Sequence, residues 1–226
     1  MSIVIALFDF DGTLIDSNEA VISSLNKVAV SHRGFPFNTD ELDDILGKPI
    51  YDQMHVLSES VTEALVEEYR REYRAVMDEL TQIYDGVLEL LVKLKHNGVH
   101  VGIVSNKGRR GIDHGMNQFN LHEWIEVTVS LDDVVNPKPH PEGIFRALEH
   151  IKNSHEAFSG MTIQQMITQT VFVGDSGHDI ETAKNAGCMS MLVSWTLMDL
   201  NRLLSLNPDF VVDSPVDIGE IIVNRK

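Results

Sequence analysis

Cysteine is almost missing from this chain, in which Cys188 is the single one among 226 residues. One thiol cannot form an internal disulfide, which excludes a disulfide-stabilised secreted fold and predicts a reducing compartment. Its neighbours in the run NAGCMSMLV are mostly apolar. Because apolar surroundings raise the pKa of a thiol, we expect Cys188 to pack in the core and not to act as a nucleophile.

Basic residues and long hydrophobic runs are also scarce. Lysine and arginine number 18 against 34 aspartates and glutamates, which gives a formal net charge of −16. Such a surface repels a nucleic-acid backbone, and no apolar run approaches the ~20 residues that span a bilayer. The first residues lack the basic region of a signal peptide. We therefore expect a cytoplasmic protein, monomer or homodimer, whose partners include neither nucleic acid nor membrane.

What the sequence does contain is an alternation of short apolar runs with helix-patterned segments. The candidate strands are residues 3–10, 99–104, 125–130, 170–175, 189–194 and 209–213. Residues 86–98 and 178–187 have helical spacing and end in glycine, where a helix stops. This alternation predicts an α/β fold with a doubly wound parallel sheet.

Residues 17–84 interrupt the alternation. They contain no strand pattern and indicate several helices, including residues 61–80. Connections in such folds usually have 2 to 6 residues, so this segment is predicted to be an insertion. We expect a core of residues 1–16 and 85–226 and a helical cap of residues 17–84, which lies as a lid over the carboxyl ends of the strands. The polar connection at 150–170 has no assigned role.

The first strand candidate ends in two carboxylates, Asp9 and Asp11, followed by Gly12. Alternation along a strand places both acids on one face, where like charges repel unless a cation lies between them or one is protonated. A simple Asp-Gly turn after a strand gives the same letters, so this stretch does not decide between structure and chemistry by itself.

Polar side chains also follow the later strand candidates. They are Ser105 and Asn106, then Lys138, then Asp175 and Ser176. Because parallel strands end at one edge of a sheet, these residues are expected to meet the acid pair in one crevice. Acids, a hydroxyl and an ammonium together predict a site for a divalent cation and an anion.

The chemistry of this set fits phosphoryl transfer. Asp9, Asp11 and Asp175 offer the oxygen ligands that Mg²⁺ prefers. Lys138 and Ser105 can bind phosphate oxygens. One carboxylate can attack phosphorus to form an aspartyl-phosphate that water cleaves, and the second can transfer the protons.

Four segments, DFDGTLIDS, VSNK, NPKPHPEG and VGDSGHDI, occur in that order. They resemble the signature motifs of the haloacid dehalogenase superfamily, in its phosphoglycolate phosphatase-like branch with a helical cap after the first motif. The resemblance covers essentially the whole chain. It implies a Rossmann-like core, Mg²⁺ as cofactor and a small phosphorylated metabolite as substrate.

The resemblance also implies roles for single residues. Asp9 would be the nucleophile and Asp11 the general acid/base. Gly12, Ser105, Asn106 and Lys138 would bind the phosphoryl group. Asp9, Asp11 through its backbone carbonyl, and Asp175 would hold magnesium, while Asp179 would support that site or orient Lys138. Lys48, in the GKP segment, resembles the substrate-specificity loop, although a solvated lysine before a turn proline fits equally well.

Other functions stay open. Dehalogenases lack the second acid, which is present here, but sugar phosphomutases keep both acids and share the cap type. A phospho-receiver domain uses similar residues, although its acid pair comes before a phosphorylated aspartate on a later strand. A non-catalytic binding protein on this scaffold also stays open, although every expected catalytic position is filled. The 150–170 connection is longer than in the relatives and leaves the subfamily undecided.

Two further groups of residues favour a structural interpretation. Arg70, Arg71 and Arg74 lie near several glutamates, and we expect i,i+4 ion pairs on a wet helix surface. Ten histidines raise the question of zinc, but HEWIE at 122–126 lacks the second histidine of a zinc-binding helix and there is no cysteine cluster. We therefore predict no zinc site in this chain.

Overall fold

The computed structural model describes residues 2–225. Its strands are β1 (Ile5–Phe8), β2 (Ile15–Asp16), β3 (Gln82–Ile83), β4 (His100–Val104), β5 (Val127–Val129), β6 (Thr170–Gly174), β7 (Met189–Val193) and β8 (Phe210–Val212). Six of them form a parallel sheet in the order β5-β4-β1-β6-β7-β8. Each of the six lies within one predicted run, so the doubly wound α/β sheet is confirmed.

Strand β1 occupies the middle of the sheet because it is apolar on both faces. Ile5 and Leu7 belong to one buried cluster, and Ala6 and Phe8 belong to the other. All four side chains are fully buried. Burial of a side chain as large as leucine or phenylalanine contributes about 1.5–3 kcal/mol. These contacts fix the strand whose end carries the acid pair.

Eleven α-helices occur within residues 2–225. They are α1 (Asn18–Arg33), α2 (Thr39–Ile45), α3 (Ile50–Met54), α4 (Glu63–Leu80), α5 (Val87–His96), α6 (Arg109–Gln118), α7 (Glu142–Ser154), α8 (Ile163–Ile167), α9 (Gly177–Ala186), α10 (Leu200–Ser205) and α11 (Pro215–Asn224). The two helices predicted from their spacing are α5 and α9. Gly187 ends α9 with a φ of 83°, a left-handed conformation that favours glycine.

The first four helices have a hydrophobic cluster of their own. It includes Leu25, Ile45, Met54 and Val66, all buried and distinct from the clusters that flank the sheet.

The expectation that residues 17–84 hold no strand is wrong at the end of this segment. Strand β3 pairs antiparallel with β2, because the chain leaves and re-enters the sheet region side by side. A short two-stranded ribbon therefore joins the helices to the sheet.

The polar connection at 150–170 covers one face of the sheet. It contains the end of α7, a short 3-10 turn at Glu156–Phe158 and helix α8. Phe158, Met166 and Ile167 are buried in the cluster that also contains Phe172 of β6. Within the described residues, every helix is too short or too polar to cross a membrane.

Candidate active site

The site lies where the three central strands end. Strand β1 pairs with β4 on one side and β6 on the other, and Asp9, Ser105 and Asp175 directly follow these strands. The carboxyl ends of parallel strands lie at one edge, which brings the three side chains together. They line one cavity of about 830 Å³. Its lining also includes Asp11, Asn106 and Lys48.

Asp9 is buried and held from two directions. The backbone N–H of Phe10 donates to its Oδ1 at 2.7 Å, and Lys138 Nζ lies 2.9 Å from its Oδ2. Burial raises the pKa of Asp9 to about 6, although Lys138 acts in the opposite direction. Its side chain is therefore fixed in orientation, and it has an oxygen close to a permanent positive charge.

Lys138 is positioned by Asp179 and Asn106. Its Nζ donates to Asp179 Oδ1 at 2.6 Å, and burial opposes the charged form while Asp179 and Asp9 outweigh it and raise the pKa of Lys138. Asn106 Oδ1 accepts from the Lys138 backbone N–H at 2.9 Å, and its Nδ2 donates to the carbonyls of Lys138 and Gly47. The Asn106 side chain is thus occupied by backbone groups of Lys138 and Gly47. A phosphate contact from Asn106, which stays a prediction, would therefore use its backbone N–H.

Asp179 also takes part in the N-terminal cap of α9. Its Oδ2 accepts from the backbone N–H of Ser176 at 3.0 Å and from the Ser176 hydroxyl at 2.6 Å. Ser176 Oγ in turn caps the Asp179 N–H, which forms a capping box. The helix start therefore fixes the carboxylate that orients Lys138.

Asp9, Asp175 and Asp179 form a compact group of buried oxygens. One carboxylate oxygen from each lies within 4.8 Å of the others. Burial, then Asp179 and Asp9, raise the pKa of Asp175 well above its usual value. Three carboxylates beside one ammonium leave two negative charges, which a dication would cancel, and an all-oxygen donor set fits Mg²⁺. The side chains present thus suit the ion that the motifs imply.

Gly12 makes room for this group. Its φ is 72°, and a Cβ built there would lie 2.4 Å from Asp175 Oδ2. Any other residue would collide with the carboxylate, so the glycine after the acid pair has a steric reason. Its role as a phosphate-binding residue stays a prediction.

The carboxylate of Asp11 is not in the three-acid group. Lys107 Nζ lies 2.8 and 2.9 Å from its two oxygens, and Ser17 Oγ donates to Oδ1 at 2.5 Å. Lys107 also donates to the hydroxyl of Tyr73, on α4, at 2.9 Å. If Asp11 binds magnesium, its backbone carbonyl is the group left for it.

Lys107 is the site residue that the sequence did not reveal. It stands two positions after Ser105 within the VSNK motif, which was the available signal. Burial opposes its charge, but Asp11 and Tyr73 outweigh burial and raise the pKa of Lys107. Its partner in the acid pair is 96 positions away, so only the fold brings them together.

The helices of the insertion supply the far wall of the cavity. Arg70 pairs with Glu67 at 2.7 Å and with Glu63 at 2.8 Å, and Arg74 lies 3.4 Å from Glu67. Ion pairs are present on α4, but at spacings of one, three and seven residues instead of the predicted four. The predicted solvated surface is confirmed, because the Arg70 and Arg74 side chains are 37% and 52% exposed, and both also line the cavity.

Lys48 and Arg110 also line the cavity. Lys48 follows α2 and Arg110 lies on α6. Within residues 2–225, neither side chain has an ion-pair or hydrogen-bond partner. The structure thus places the predicted Lys48 at the cavity and adds a second unpaired cation.

The fold and the buried acids define a phosphate-handling α/β enzyme, and comparison with known proteins identifies its family. The profile of the haloacid dehalogenase-like hydrolases matches residues 6–193. Pyrophosphatase PpaX of Bacillus cereus is 34% identical over 224 residues, which cover 99% of this chain and 98% of that protein. The chain belongs to the haloacid dehalogenase-like hydrolases, in the phosphatase branch that its motifs predict.

Two solved structures have the same fold. A Lactobacillus plantarum protein, provisionally assigned as a phosphoglycolate phosphatase, has a TM-score of 0.78 at 24% identity, covering 98% of this chain and 100% of that one. A Thermotoga maritima protein, provisionally assigned as a β-phosphoglucomutase, has a TM-score of 0.70 at 25% identity, covering 99% of each chain. Both likenesses support the α/β fold of this chain.

Proposed function

We propose that this protein is a Mg²⁺-dependent phosphatase that hydrolyses a small phosphorylated anion through an aspartyl-phosphate on Asp9. The observation that carries the proposal is the position of Asp9. Its carboxylate is buried, lies 2.9 Å from Lys138, and belongs to the three-acid group with Asp175 and Asp179. The proposed nucleophile, Asp9, is thus in contact with the proposed phosphate-binding cation, Lys138, and is part of the proposed metal-binding group.

Asp9, Asp175 and the backbone carbonyl of Asp11 would hold the magnesium. Asp179, which lies in the same three-acid group, would support this site. When bound, the dication would supply positive charge that offsets the charge of the phosphoryl group. Lys138 and the Ser105 hydroxyl, both of which act to lower the pKa of Asp9, would bind phosphoryl oxygens from the protein side.

The reaction would have two halves. In the first, a carboxylate oxygen of Asp9 attacks phosphorus, the bond from phosphorus to the leaving oxygen breaks, and Asp11 gives that oxygen a proton. In the second, water attacks the same phosphorus, Asp11 takes a proton from the water, and the bond to Asp9 breaks. Lys107 and Ser17 hold the Asp11 carboxyl group in place for both proton transfers.

Residues 17–84 would act as a cap over this reaction. The β2–β3 ribbon joins them to the sheet, and the contact between Tyr73 and Lys107 links α4 to the acid/base. Closure would exclude bulk water during the transfer, and opening would release the product.

The unpaired cations indicate the kind of substrate. Lys48 and Arg110 line the cavity beyond the catalytic acids, where the part of the substrate that does not react would lie. Two free cations favour a second anionic group, either a carboxylate, as in phosphoglycolate, or a phosphate, as in pyrophosphate. The similarity to PpaX over 99% of this chain favours pyrophosphate as the second candidate.

The test is a phosphate-release screen with phosphoglycolate, pyrophosphate, nucleotides and sugar phosphates. We expect turnover of a doubly anionic compound with Mg²⁺, and loss of turnover with chelator or in Asp9→Asn. Unchanged rates in both controls would refute the proposal. Release of an isomer from sugar phosphate in the presence of a bisphosphate, without free phosphate, would instead support a mutase. A phosphorylated form that accumulates and does not turn over would support a receiver.

A further inference from the structure

A second cluster of ligand-type side chains lies at the opposite edge of the sheet. His100 begins β4, whereas Ser105 follows its end, and a rise of about 3.3 Å per residue separates them by roughly 16 Å. Glu126 directly precedes β5, and His155 directly follows α7. The cluster is therefore distinct from the catalytic cavity.

The three side chains converge on Glu126. His100 Nδ1 lies 3.1 and 3.0 Å from the two carboxylate oxygens of Glu126, and His155 Nε2 lies 2.7 Å from Oε2. One ligand atom from each residue lies within 4.8 Å of the other two. The side chains are 20%, 34% and 36% exposed in chain order, so an ion can reach them from solvent.

We propose that His100, Glu126 and His155 bind a transition-metal dication of the Zn²⁺ type. Two imidazoles and one carboxylate form a donor set that zinc uses with a water as fourth ligand, whereas Mg²⁺ prefers oxygen alone. Tetrahedral bonds of about 2.0–2.2 Å place ligand atoms about 3.4 Å apart. The imidazole nitrogens lie 2.7 to 3.1 Å from the Glu126 oxygens, so these atoms need to separate only slightly. A small outward movement of the Glu126 carboxylate would replace its hydrogen bonds to the two imidazoles with bonds to the metal.

The backbone and one aromatic side chain hold the three ligands in place. The Glu126 N–H donates to Val101 O at 2.8 Å, and the His155 N–H donates to Ile151 O at 3.1 Å. Phe158 is buried and packs edge-on against His100 and His155, with ring centroids 5.0 and 6.5 Å away. The ligands are thus largely arranged before an ion arrives, which lowers the entropic penalty of binding.

This site gives the 150–170 connection a function that its sequence did not suggest. The prediction of no zinc site rested on the spacing within HEWIE. That spacing could not show this site, because its three ligands come from separate segments and only Glu126 belongs to HEWIE. A bound ion would fasten the chain after α7 to the starts of β4 and β5. We expect it to stabilise this edge of the fold and not to take part in the phosphatase reaction.

The experiment compares Zn²⁺ binding to the whole protein and to variants, with Mg²⁺ in excess to occupy the catalytic acids. His155→Gln is the test variant, and His150→Gln, an exposed histidine on α7, is the matched control. We expect calorimetry to show that wild type and His150→Gln bind one more Zn²⁺ per chain than His155→Gln. We also expect Zn²⁺ to raise the melting temperature of the first two proteins further than that of His155→Gln.

A second variant keeps the test decisive if His155→Gln folds poorly. Glu126→Gln keeps the size of the side chain and removes its charge, and it should lose the same equivalent of Zn²⁺. Cobalt(II) gives an independent signal, because His100 and His155 as ligands would produce a visible absorption that either variant abolishes. Equal Zn²⁺ uptake and equal cobalt spectra in wild type and both variants would overturn the proposal.

Discussion

Lys107 contacts both Asp11, the proposed acid/base, and the helices of the proposed cap. Its ammonium lies 2.8 and 2.9 Å from the oxygens of Asp11 and 2.9 Å from the hydroxyl of Tyr73 on α4. Asp11 follows the central strand, whereas Tyr73 belongs to the inserted helices. The lysine therefore holds the carboxylate of Asp11, the proposed proton-transferring group, and also contacts the proposed cap.

Replacing Lys107 by methionine should slow catalysis more than substrate binding. General acid–base catalysis contributes about 10²–10⁴-fold, and loss of the group that orients Asp11 should lower kcat by about 10- to 100-fold. Steady-state kinetics with separate kcat and KM values measure the effect. Tyr73→Phe keeps the Asp11–Lys107 pair and is the matched control, with an expected change of a few-fold. A kcat in Lys107→Met equal to that of wild type would contradict the orienting role.

Magnesium should stabilise the protein more at pH 7.5 than at pH 5. Burial raises the pKa of Asp9 from 3.8 to about 6 and that of Asp175 well above 3.8. The stability that these acids contribute is fully present below pH 3.8, where both are protonated. It is lost as the pH rises through the raised pKa of each acid, which is about 6 for Asp9. A dication removes the repulsion between the ionised forms and competes with protons for them.

Thermal melts with Mg²⁺ and with chelator at the two pH values test this expectation. Asp175→Asn should lose most of the magnesium-induced rise, while the exposed Asp40→Asn should keep it. A rise of equal size at pH 5 and pH 7.5 would argue against a metal held by these buried acids.

Lys48 and Arg110 should govern the choice of substrate without affecting the chemistry. A hydrogen bond to a charged group contributes about 1.5–3 kcal/mol, so Lys48→Met or Arg110→Met should raise KM about 10-fold or more for a doubly anionic substrate. Turnover of an aryl phosphate, which has no second anionic group, should change little. Arg71→Met, which removes a charge outside the cavity lining, is the control. Equal effects on both substrates would exclude recognition of a distal anion.

Cys188 should be inert in the folded protein. Burial raises the pKa of its thiol to about 12, so almost no thiolate exists at pH 8. We expect iodoacetamide to leave folded protein unmodified and to label it fully in denaturant, as mass spectrometry would show. Rapid labelling of the native state, with loss of activity, would contradict the assignment of Cys188 to the core.

The sheet could be predicted because its central strands are apolar on both faces. Runs such as residues 3–10 and 170–175 do not fit a solvent-exposed helix, and the polar residues that end them mark the edge where the site forms. The motifs around Asp9, Ser105, Lys138 and Asp175 carried the family assignment, which the comparisons confirm.

Contacts that depend on distance in space could not be predicted. The pairing of Lys107 with Asp11 joins residues 96 positions apart, and the two residues of β3 are too few to show alternation. Ion pairs along α4 use spacings of one, three and seven, and Glu67 alone pairs with both Arg70 and Arg74. The cluster of His100, Glu126 and His155 draws on three segments, so no local pattern reveals it.

The most direct test asks which atom receives the phosphoryl group. Enzyme quenched with acid during turnover should be treated with borohydride, which reduces an aspartyl-phosphate to homoserine, and then analysed by peptide mass spectrometry. We predict homoserine at position 9 in wild type with Mg²⁺, and none in Asp9→Asn or with chelator. Homoserine at another aspartate, or none at position 9 while the enzyme turns over rapidly and the quench traps a known aspartyl-phosphate control, would contradict the account.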